Sequence, residues 1–599
     1  MPLEFLKKYK HIVLVILIIL SGFFVYSNSL FGDFIWDDEA FITKNAYIRD
    51  WSKTGLIFTT DSGAGASTVL NFYRPLQVFS YMIDYSLWGF NPVGYHLACI
   101  ILHILVALAI YALTRILFSS TPLAFFSAIL FVTHPINTEA VSYISGRADL
   151  LSGLFILLCL IFYIKNTRAP SLGSYIMTAF SCVLAFLSKE NSLAIVPILL
   201  FYHYAFKQKI RWKLFLVPLM VSLAYLFARL VSLQSFFFGW KATFERVPGF
   251  FAAVANYLRL LLLPFDLHME YGNRVFSVIH PQVLFGLAVF LLLIFCAFKR
   301  RESDKLFTFS IFWFFAALLP TNSVYPINSF YMAEHWLYLP AIGFFWVLAR
   351  ALDSLYRKKQ FRLFSVAIFI CFLFDYSYFT IKQNNYWSSE PQLYRRILKY
   401  TPGSYMVHNN LGNLYSRSGN KPEAANEYFM AIKYNPDFLP AYCSLLNILY
   451  GYPEMDAQAK TYLKTAESYP ICAKAYYLLG NSYYERNEKE KSLAMLRRAI
   501  ELKPDYLAAY NNLASGYAEA GKLEEAIRLW NEAVRIKPDF AVAHFNLAVY
   551  YFKLKQYELA IEHCDKVLKL GFQVDSRFLN ELEPFRKNKI QPPLKFSQK

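Results

Sequence analysis

Charge is what this 599-residue chain has least of: Asp, Glu, Lys and Arg together make up 17% of it. A soluble domain carries about a quarter, so the balance excludes an ordinary water-soluble protein. Cysteine is sparse too. The eight cysteines are scattered, five of them inside apolar runs, and no CxxC occurs, which leaves neither a disulfide framework nor a zinc site. No GxxxxGK[ST] is present, so nothing supports P-loop ATP hydrolysis. HExxH, GxSxG and a paired Cys-His ligand set are also missing, as is a Rossmann fingerprint. The net charge of +18 does not read as a nucleic-acid footprint, because the basic residues sit in short clusters between apolar runs.

What fills the chain instead is apolar: 56% of residues, with 57 Phe and 44 Tyr, and a mean hydropathy of +0.31. Up to about residue 381 the sequence is a series of apolar runs near the length that crosses roughly 30 Å of hydrocarbon. Spans are expected near 11–28, 95–118, 120–134, 149–165, 172–188, 191–206, 213–235, 281–298, 306–321, 334–350 and 361–381. The stretch 249–264 is shorter, carries Arg259 and ends at Pro264; it lies along the interface or re-enters. The N-terminal run has no convincing small-residue cleavage site and reads as a retained anchor.

Basic clusters at Lys7–Lys10, Lys207–Lys213, Lys299–Lys305 and Arg350–Arg362 set the orientation if they face the cytoplasm. With about eleven spans, everything after residue 381 then emerges on the external side. The same alternation gathers five polar stretches outside: 33–94, 134–150, 188–191, 266–274 and 331–340. Most of the acids, histidines and isolated cations outside the repeats fall in them.

Beyond residue 400 the period changes. Pro402, Pro436, Pro470, Pro504 and Pro538 are each 34 residues apart, the tetratricopeptide spacing. The repeat after Pro504 fits best, with Tyr510, Leu513, Ala514, Tyr517, Ala526, Trp530 and Ala533; the second fits poorly. Such units stack into a superhelix with a concave groove. The domain reading is 1–385 for the membrane unit with an external loop at 29–94, 386–401 for a linker, 402–571 for five repeats and 572–599 for a tail.

Five motifs offer chemistry. "DFIWDDEAF" (33–41) places Asp37 and Asp38 beside Trp36, just outside the first span. Carboxylates shielded from water there suit a general base or a cation site, although a hydrated acidic collar is the simpler reading. "HPINTEAVSYISGRADL" (134–150) supplies His134, Glu139, Arg147 and Asp149; Arg147 suits a lipid phosphate or interfacial snorkelling. Lys189 and Glu190 close a span, either as one exposed ion pair or as part of a site. Arg74 in "NFYRPL" serves ligand contact or core stacking equally well. Glu334 and His335 open the stretch "AEHWLYLP", where charge must pair or face a cavity.

These segments, with "YRPLQVFSYMIDYSLWGFNPVGYHLACILLHILVALAIYAL" and "LSKEN", occur in order ahead of tetratricopeptide repeats. The series resembles the transmembrane-and-tetratricopeptide-containing (TMTC) family, especially its prokaryotic relatives, over nearly the whole chain. HP-x-x-TEAV-x-x-x-x-GRADL and AEH-x-LYLP are the most specific pieces. The resemblance implies an all-α GT-C-like membrane domain of about eleven spans followed by an extracytoplasmic tetratricopeptide superhelix. It implies a transferase similar to protein O-mannosyltransferases, moving a hexose such as mannose, with inversion, from a polyprenyl-phosphate carrier to Ser or Thr of proteins outside the cytoplasm. Asp37 would then be the base, with Asp38 orienting the acceptor or assisting it. Arg74, Arg147, Lys189 and His335 become candidates for the phosphate, and His134, Glu139 and Glu334 for shaping the sugar pocket; Asp149 and Glu190 join the same binding set. Asp33 and Glu39 return to the collar. A divalent metal at Asp37 and Asp38 stays open. The implied partners are a membrane lipid carrier and a protein or peptide in the repeat groove, with no nucleic acid. The implied setting is a bacterial inner membrane with external repeats, or an endoplasmic-reticulum membrane with the same topology. A glycan or lipid acceptor, and a non-enzymatic scaffold whose repeats bind envelope proteins, are the rival readings.

Overall fold

The structure, a computed structural model, describes residues 10–68, 70–232, 240–272, 274–323, 331–451, 464–469 and 471–587. Every regular element among them is helical. The chain forms two compact units, Met1–Pro402 and Gly403–Lys599.

Among the described residues, the first unit has fourteen principal helices, joined by short helical turns. They are α1 (Lys10–Tyr26), α2 (Pro75–Trp88), α3 (Pro92–Phe118), α4 (Thr121–Thr133), α5 (Arg147–Arg168), α6 (Leu172–Ser188), α7 (Ile195–Phe206), α8 (Trp212–Ser232), α9 (Trp240–Leu262), α10 (Pro281–Lys299), α11 (Lys305–Ser323), α12 (Ala341–Arg357), α13 (Arg362–Tyr386) and α14 (Glu390–Tyr400). Local sequence starts many of them. Proline occupies the first turn of α2, α3, α4 and α10, where its missing N–H costs nothing. The Asn91 side chain caps α3 by accepting from Val93, and Ser120 and Ser171 cap α4 and α6 in the same way.

Six stretches have the length and hydropathy of a bilayer crossing: Lys10–Phe31, Pro92–Phe118, Ile144–Arg168, Trp212–Ser232, Pro281–Lys299 and Lys359–Tyr386. The eleven expected spans all fall largely on helices, yet α4, α6, α7 and α12 have only 13, 17, 12 and 17 residues, short of the ~20 a full crossing takes. The span expected from residue 334 begins at Ala341, because residues 334–337 form a separate turn whose side chains bond to other segments. The stretch 249–264 belongs largely to α9, and one face of it (Ala253, Val254, Tyr257, Leu260, Leu261) is wholly buried.

The core of this unit lies among α3, α4, α5, α11 and α12. Trp313 and Trp346 meet edge to face at 5.0 Å, and both are fully buried. Gly343 lets α12 close on α11: a Cβ there would lie 2.5 Å from the Ser310 carbonyl, the small-residue contact that membrane helices use in place of a hydrophobic drive. Outward, α10 exposes Leu284, Leu291, Phe295 and Phe298, and α13 exposes Leu363, Ile370 and Phe374. Apolar stripes of this extent on a folded surface face lipid, not water. The chain is a multi-pass membrane protein.

The second unit consists of tetratricopeptide repeats. Its helices pair as α15 (Tyr405–Arg417) with α16 (Lys421–Tyr434), α18 (Cys472–Glu485) with α19 (Lys489–Leu502), α20 (Leu507–Glu519) with α21 (Leu523–Ile536), and α22 (Ala541–Lys553) with α23 (Tyr557–Lys569); α17 (Leu439–Gly451) stands between the first two pairs and α24 (Ser576–Lys587) follows the last. The partner expected for α17 lies largely outside the described residues. The 34-residue period reappears in the backbone. Gly419, Asn487, Gly521 and Lys555 hold the turn inside their repeats with φ of +83°, +61°, +77° and +61°, the left-handed conformation that closes a helix and favours Gly and Asn. Trp530 is wholly buried, its indole N–H donating to Asn511 at 3.2 Å and its ring stacked on Tyr550.

Candidate functional site

The acidic loop leaves α1 and is held by neighbours distant in sequence. Trp36 sits at φ +52°, a left-handed conformation that costs an ordinary residue ~1–2 kcal/mol. It turns the chain so that the two aspartates after it face different surroundings. Asp38 is fully buried. One of its oxygens accepts from the Ile35 amide at 3.0 Å, the other from the Ser145 amide at 2.8 Å and from the Ser145 hydroxyl. Burial pushes its carboxyl up to about 7, against the opposing pull of those hydrogen bonds. Its oxygens are committed to holding the loop against the 142–146 turn.

Asp37 is only half-buried. Its amide donates to the Tyr143 hydroxyl at 3.1 Å, and its carbonyl accepts from Ala40 and Phe41. Burial raises its carboxyl above the usual range, while the Tyr143 hydroxyl and the charges of Arg74 and His335 draw it back. Asp37, Arg74 and His335 therefore share one electrostatic neighbourhood, although they come from three separate loops.

Arg74 precedes Pro75, which keeps it out of the helical region, and it stands at the start of α2 with φ −134°. Its guanidinium lies over the Phe72 ring at 4.0 Å and grips Glu190 with a two-pronged fork, Nε to Oε2 at 3.1 Å and Nη2 to Oε1 at 2.6 Å. Arg229 approaches the same carboxylate at 3.9 Å. Burial would raise the Glu190 carboxyl, but the arginines and Lys189 override it and hold it well below the usual range. Beside this group the Lys189 ammonium bonds both oxygens of Asp149, at 2.8 and 2.7 Å, and both side chains are buried. Arg74, Arg229 and Lys189 thus gather around Glu190 and Asp149.

On another side of the neighbourhood, Glu139 receives the His335 amide at 2.9 Å and its Nδ1 at 2.7 Å. Glu334, fully buried, turns the other way: one oxygen accepts from the His268 amide and from the Tyr271 hydroxyl at 2.7 Å. Burial and the nearby Glu139 both push its carboxyl up, and it ties the 266–271 loop to the 334–337 turn.

Two candidates are fully engaged elsewhere. Arg147 is 1% exposed. It pairs with Asp84 at 2.5 Å, donates to the Tyr95 carbonyl at 2.9 Å and the Ser80 hydroxyl at 3.2 Å, and lies over the Tyr81 ring. That is a buried staple between α2, α3 and α5, with its donors committed. His134 is enclosed at the end of α4, where Nδ1 accepts from the Ile136 amide at 3.1 Å and Nε2 meets the Leu261 carbonyl at 3.1 Å.

Two residues of the neighbourhood went unread in the sequence. Arg229 is the one charge in the apolar helix α8 beyond Lys213 in its first turn, and an isolated charge in a span is itself a pointer to a site. Tyr143 lies within the TEAV–GRADL stretch but carries no charge to mark it. Among the described residues, no three His, Cys, Asp or Glu side chains gather as a metal-holding group.

Comparison with known proteins shows what the chain is similar to. A family profile described as dolichyl-phosphate-mannose-protein mannosyltransferase matches residues 75–237, the segment that holds Arg147, Asp149, Lys189, Glu190 and Arg229. Tetratricopeptide profiles match 480–521, 515–555 and 541–570. The chain is 28% identical over 448 residues to the Caenorhabditis elegans protein O-mannosyl-transferase F38B6.6, covering 71% of this chain and 63% of that one. It is 28% identical to human protein O-mannosyl-transferase TMTC1 (71% and 55% covered) and 25% identical to Xenopus laevis protein O-mannosyl-transferase tmtc2 (69% and 61%). The matches span a little over half the length of these relatives.

Proposed function

We propose that this TMTC-like chain is a membrane protein O-mannosyltransferase that takes its sugar from a polyprenyl-phosphate carrier and delivers it to Ser or Thr hydroxyls outside the cytoplasm. The observation that carries the reading is the position of Asp37: half-open, with an upward-shifted carboxyl, and within electrostatic reach of Arg74 and His335.

The chemistry follows from what such a donor needs. The phosphate is already a usable leaving group, so the enzyme must activate a weakly acidic hydroxyl, neutralise the phosphate and hold both in line. Asp37 accepts the hydroxyl proton. The acceptor oxygen forms its bond to the anomeric carbon as the bond from that carbon to the phosphate oxygen breaks, and the electron pair leaves with the lipid phosphate. Displacement from the opposite face inverts the anomeric centre.

The cluster of Arg74, Arg229 and Lys189 receives the phosphate. Glu190 holds Arg74 by two of its five N–H donors, which fixes the guanidinium plane and leaves the other donors for phosphate oxygens. Asp149 steadies Lys189, and Glu139 orients His335. Asp38 supports the loop, and Arg147 and His134 support the frame.

The test is transfer from polyprenyl-phosphate mannose to a Ser/Thr-rich peptide by the full chain in lipid nanodiscs, read by mass spectrometry. Asp37→Asn should abolish transfer at wild-type abundance and melting temperature. Transfer by that variant at the wild-type rate sinks the assignment.

A further inference from the structure

The stretch 386–401 looks like a linker in sequence, but α14 within it groups with the membrane unit and touches both loops that frame the candidate base. Toward the acidic loop, the Asp33 amide donates to the Ser388 carbonyl at 2.9 Å. The Tyr394 ring meets the strained Trp36 edge-on at 5.7 Å. Trp387, 1% exposed, stacks on Tyr143 at 5.5 Å and 23°, the tyrosine whose hydroxyl receives the Asp37 amide.

Toward the 266–271 loop, Arg396 donates to the Leu267 carbonyl at 3.0 Å and the Tyr400 hydroxyl to Asp266 at 2.9 Å. Thr401 donates to the Glu270 carbonyl at 2.7 Å, and the Tyr400 ring stacks on His268 at 4.7 Å. That loop in turn holds Glu334, the neighbour of His335. The segment 387–401, α14 with the residues that flank it, therefore contacts both the acidic loop and the 266–271 loop. The sequence explains the division: Leu393, Tyr394 and Ile397 make a buried face, and Arg396 and Tyr400, one turn apart, make another.

We infer that Trp387 and Tyr394 are positioning residues for the transfer reaction: they hold Trp36 in its left-handed conformation and Tyr143 under the Asp37 amide, and so aim the base. The inference rests on Asp37 being that base. A non-glycine residue kept at positive φ beside a reactive group needs surroundings that over-determine it, and the Tyr394 ring supplies the contact. Neither aromatic side chain is given a direct bond to substrate; both act through the loop.

The test uses the full chain in nanodiscs, with polyprenyl-phosphate mannose and an acceptor peptide. Tyr394→Leu and Trp387→Leu should lower kcat by ~10-fold or more, the cost of misplacing a reacting group by a fraction of an ångström. KM for the lipid donor should stay within about two-fold, and the acid limb of the pH–rate profile should move. Tyr394→Phe and Trp387→Phe should restore both quantities. Hydrogen exchange should rise at residues 33–41 and stay unchanged in α3, which separates loop release from general unfolding. Should the Leu variants fail to fold, the Phe variants and exchange in the wild-type chain decide: slow, jointly protected amides in 33–41 and α14 support the clasp, and independent opening overturns it. Wild-type kcat, pH limb and loop exchange in Tyr394→Leu also overturn it. A dead Asp37→Asn beside a normal Tyr394→Leu defeats the clasp alone, whereas an active Asp37→Asn defeats the base assignment.

Discussion

The Tyr143 hydroxyl accepts the backbone N–H of Asp37 at 3.1 Å, across 106 residues of sequence. The contact joins the acidic loop to the turn that also binds Asp38, so two adjacent aspartates are fixed by one short segment. It also places a polar group where it lowers the Asp37 carboxyl against the larger effect of burial.

Removing that hydroxyl tests the electrostatic arrangement. In Tyr143→Phe the opposing hydrogen bond is lost, so the Asp37 carboxyl rises further. The acid limb of the kcat/KM profile should shift to higher pH, and transfer at pH 6 should fall more than transfer at pH 8. The measurement is a pH series on the nanodisc enzyme; a limb at its wild-type position refutes the arrangement.

Asp38 makes a separate pH prediction. Its carboxyl has an ordinary value of 3.8 and is pushed up to about 7 in the fold. A raised carboxyl favours the folded loop in its protonated form. Its contribution is complete below pH 3.8 and is lost as pH rises through about 7. Amides of residues 35–41 should be better protected at pH 5 than at pH 8, after correction for intrinsic exchange rates. Asp38→Ala, which strips three donors of their acceptor, should reduce stability by ~1–3 kcal/mol.

The Arg74–Glu190 fork separates charge from geometry. Arg74→Lys keeps the charge and loses the fork, so KM for the lipid donor should rise ~10-fold or more while the fold survives. Arg74→Ala strands a buried carboxylate and should cost ~3–5 kcal/mol. Adding Glu190→Ala to it should recover most of the melting temperature but not transfer. Retained donor affinity in the Lys variant would remove Arg74 from the phosphate site.

Arg147 should behave differently. Arg147→Met leaves Asp84 unpaired among Tyr81, Tyr95 and Ser80, again a loss of ~3–5 kcal/mol. Adding Asp84→Leu should return stability, and with it transfer at unchanged donor KM. A donor KM that stays high in the stable double variant would show that Arg147 touches the lipid phosphate.

Much of this architecture was legible before any coordinates. Prolines 34 residues apart announce stacked helix pairs, because each pair needs the same turn, and the left-handed residues 419, 487, 521 and 555 repeat at multiples of that spacing. The site was legible only as a set of residues. Asp37 and Asp38 look equivalent in sequence; what separates them is Ser145, 107 residues on, whose amide and hydroxyl both donate to Asp38. Arg147 reads in sequence as a phosphate ligand or a snorkelling cation, and its pairing with Asp84 on a different helix leaves no periodic trace. Span count is a separate matter: among the described residues six stretches reach the length and hydropathy of a full crossing, and further expected spans fall on shorter apolar helices. Hydropathy counts apolar runs and carries no helix lengths: α4 has 13 residues and α7 has 12.

The polar appearance of "EPQLYRRILKY" hid α14, and its attachment has a consequence for how such chains are assembled from parts. A boundary drawn at residue 385 would carry Trp387, Ser388 and Tyr394 away with the repeats and leave the acidic loop without its brace. Repeat arrays of different length or specificity are therefore exchangeable between chains only at junctions after Pro402. Natural recombination, like deliberate grafting, should leave its crossover points there, so that the last helix of the membrane unit is inherited with the loop it supports and not with the repeats it leads into.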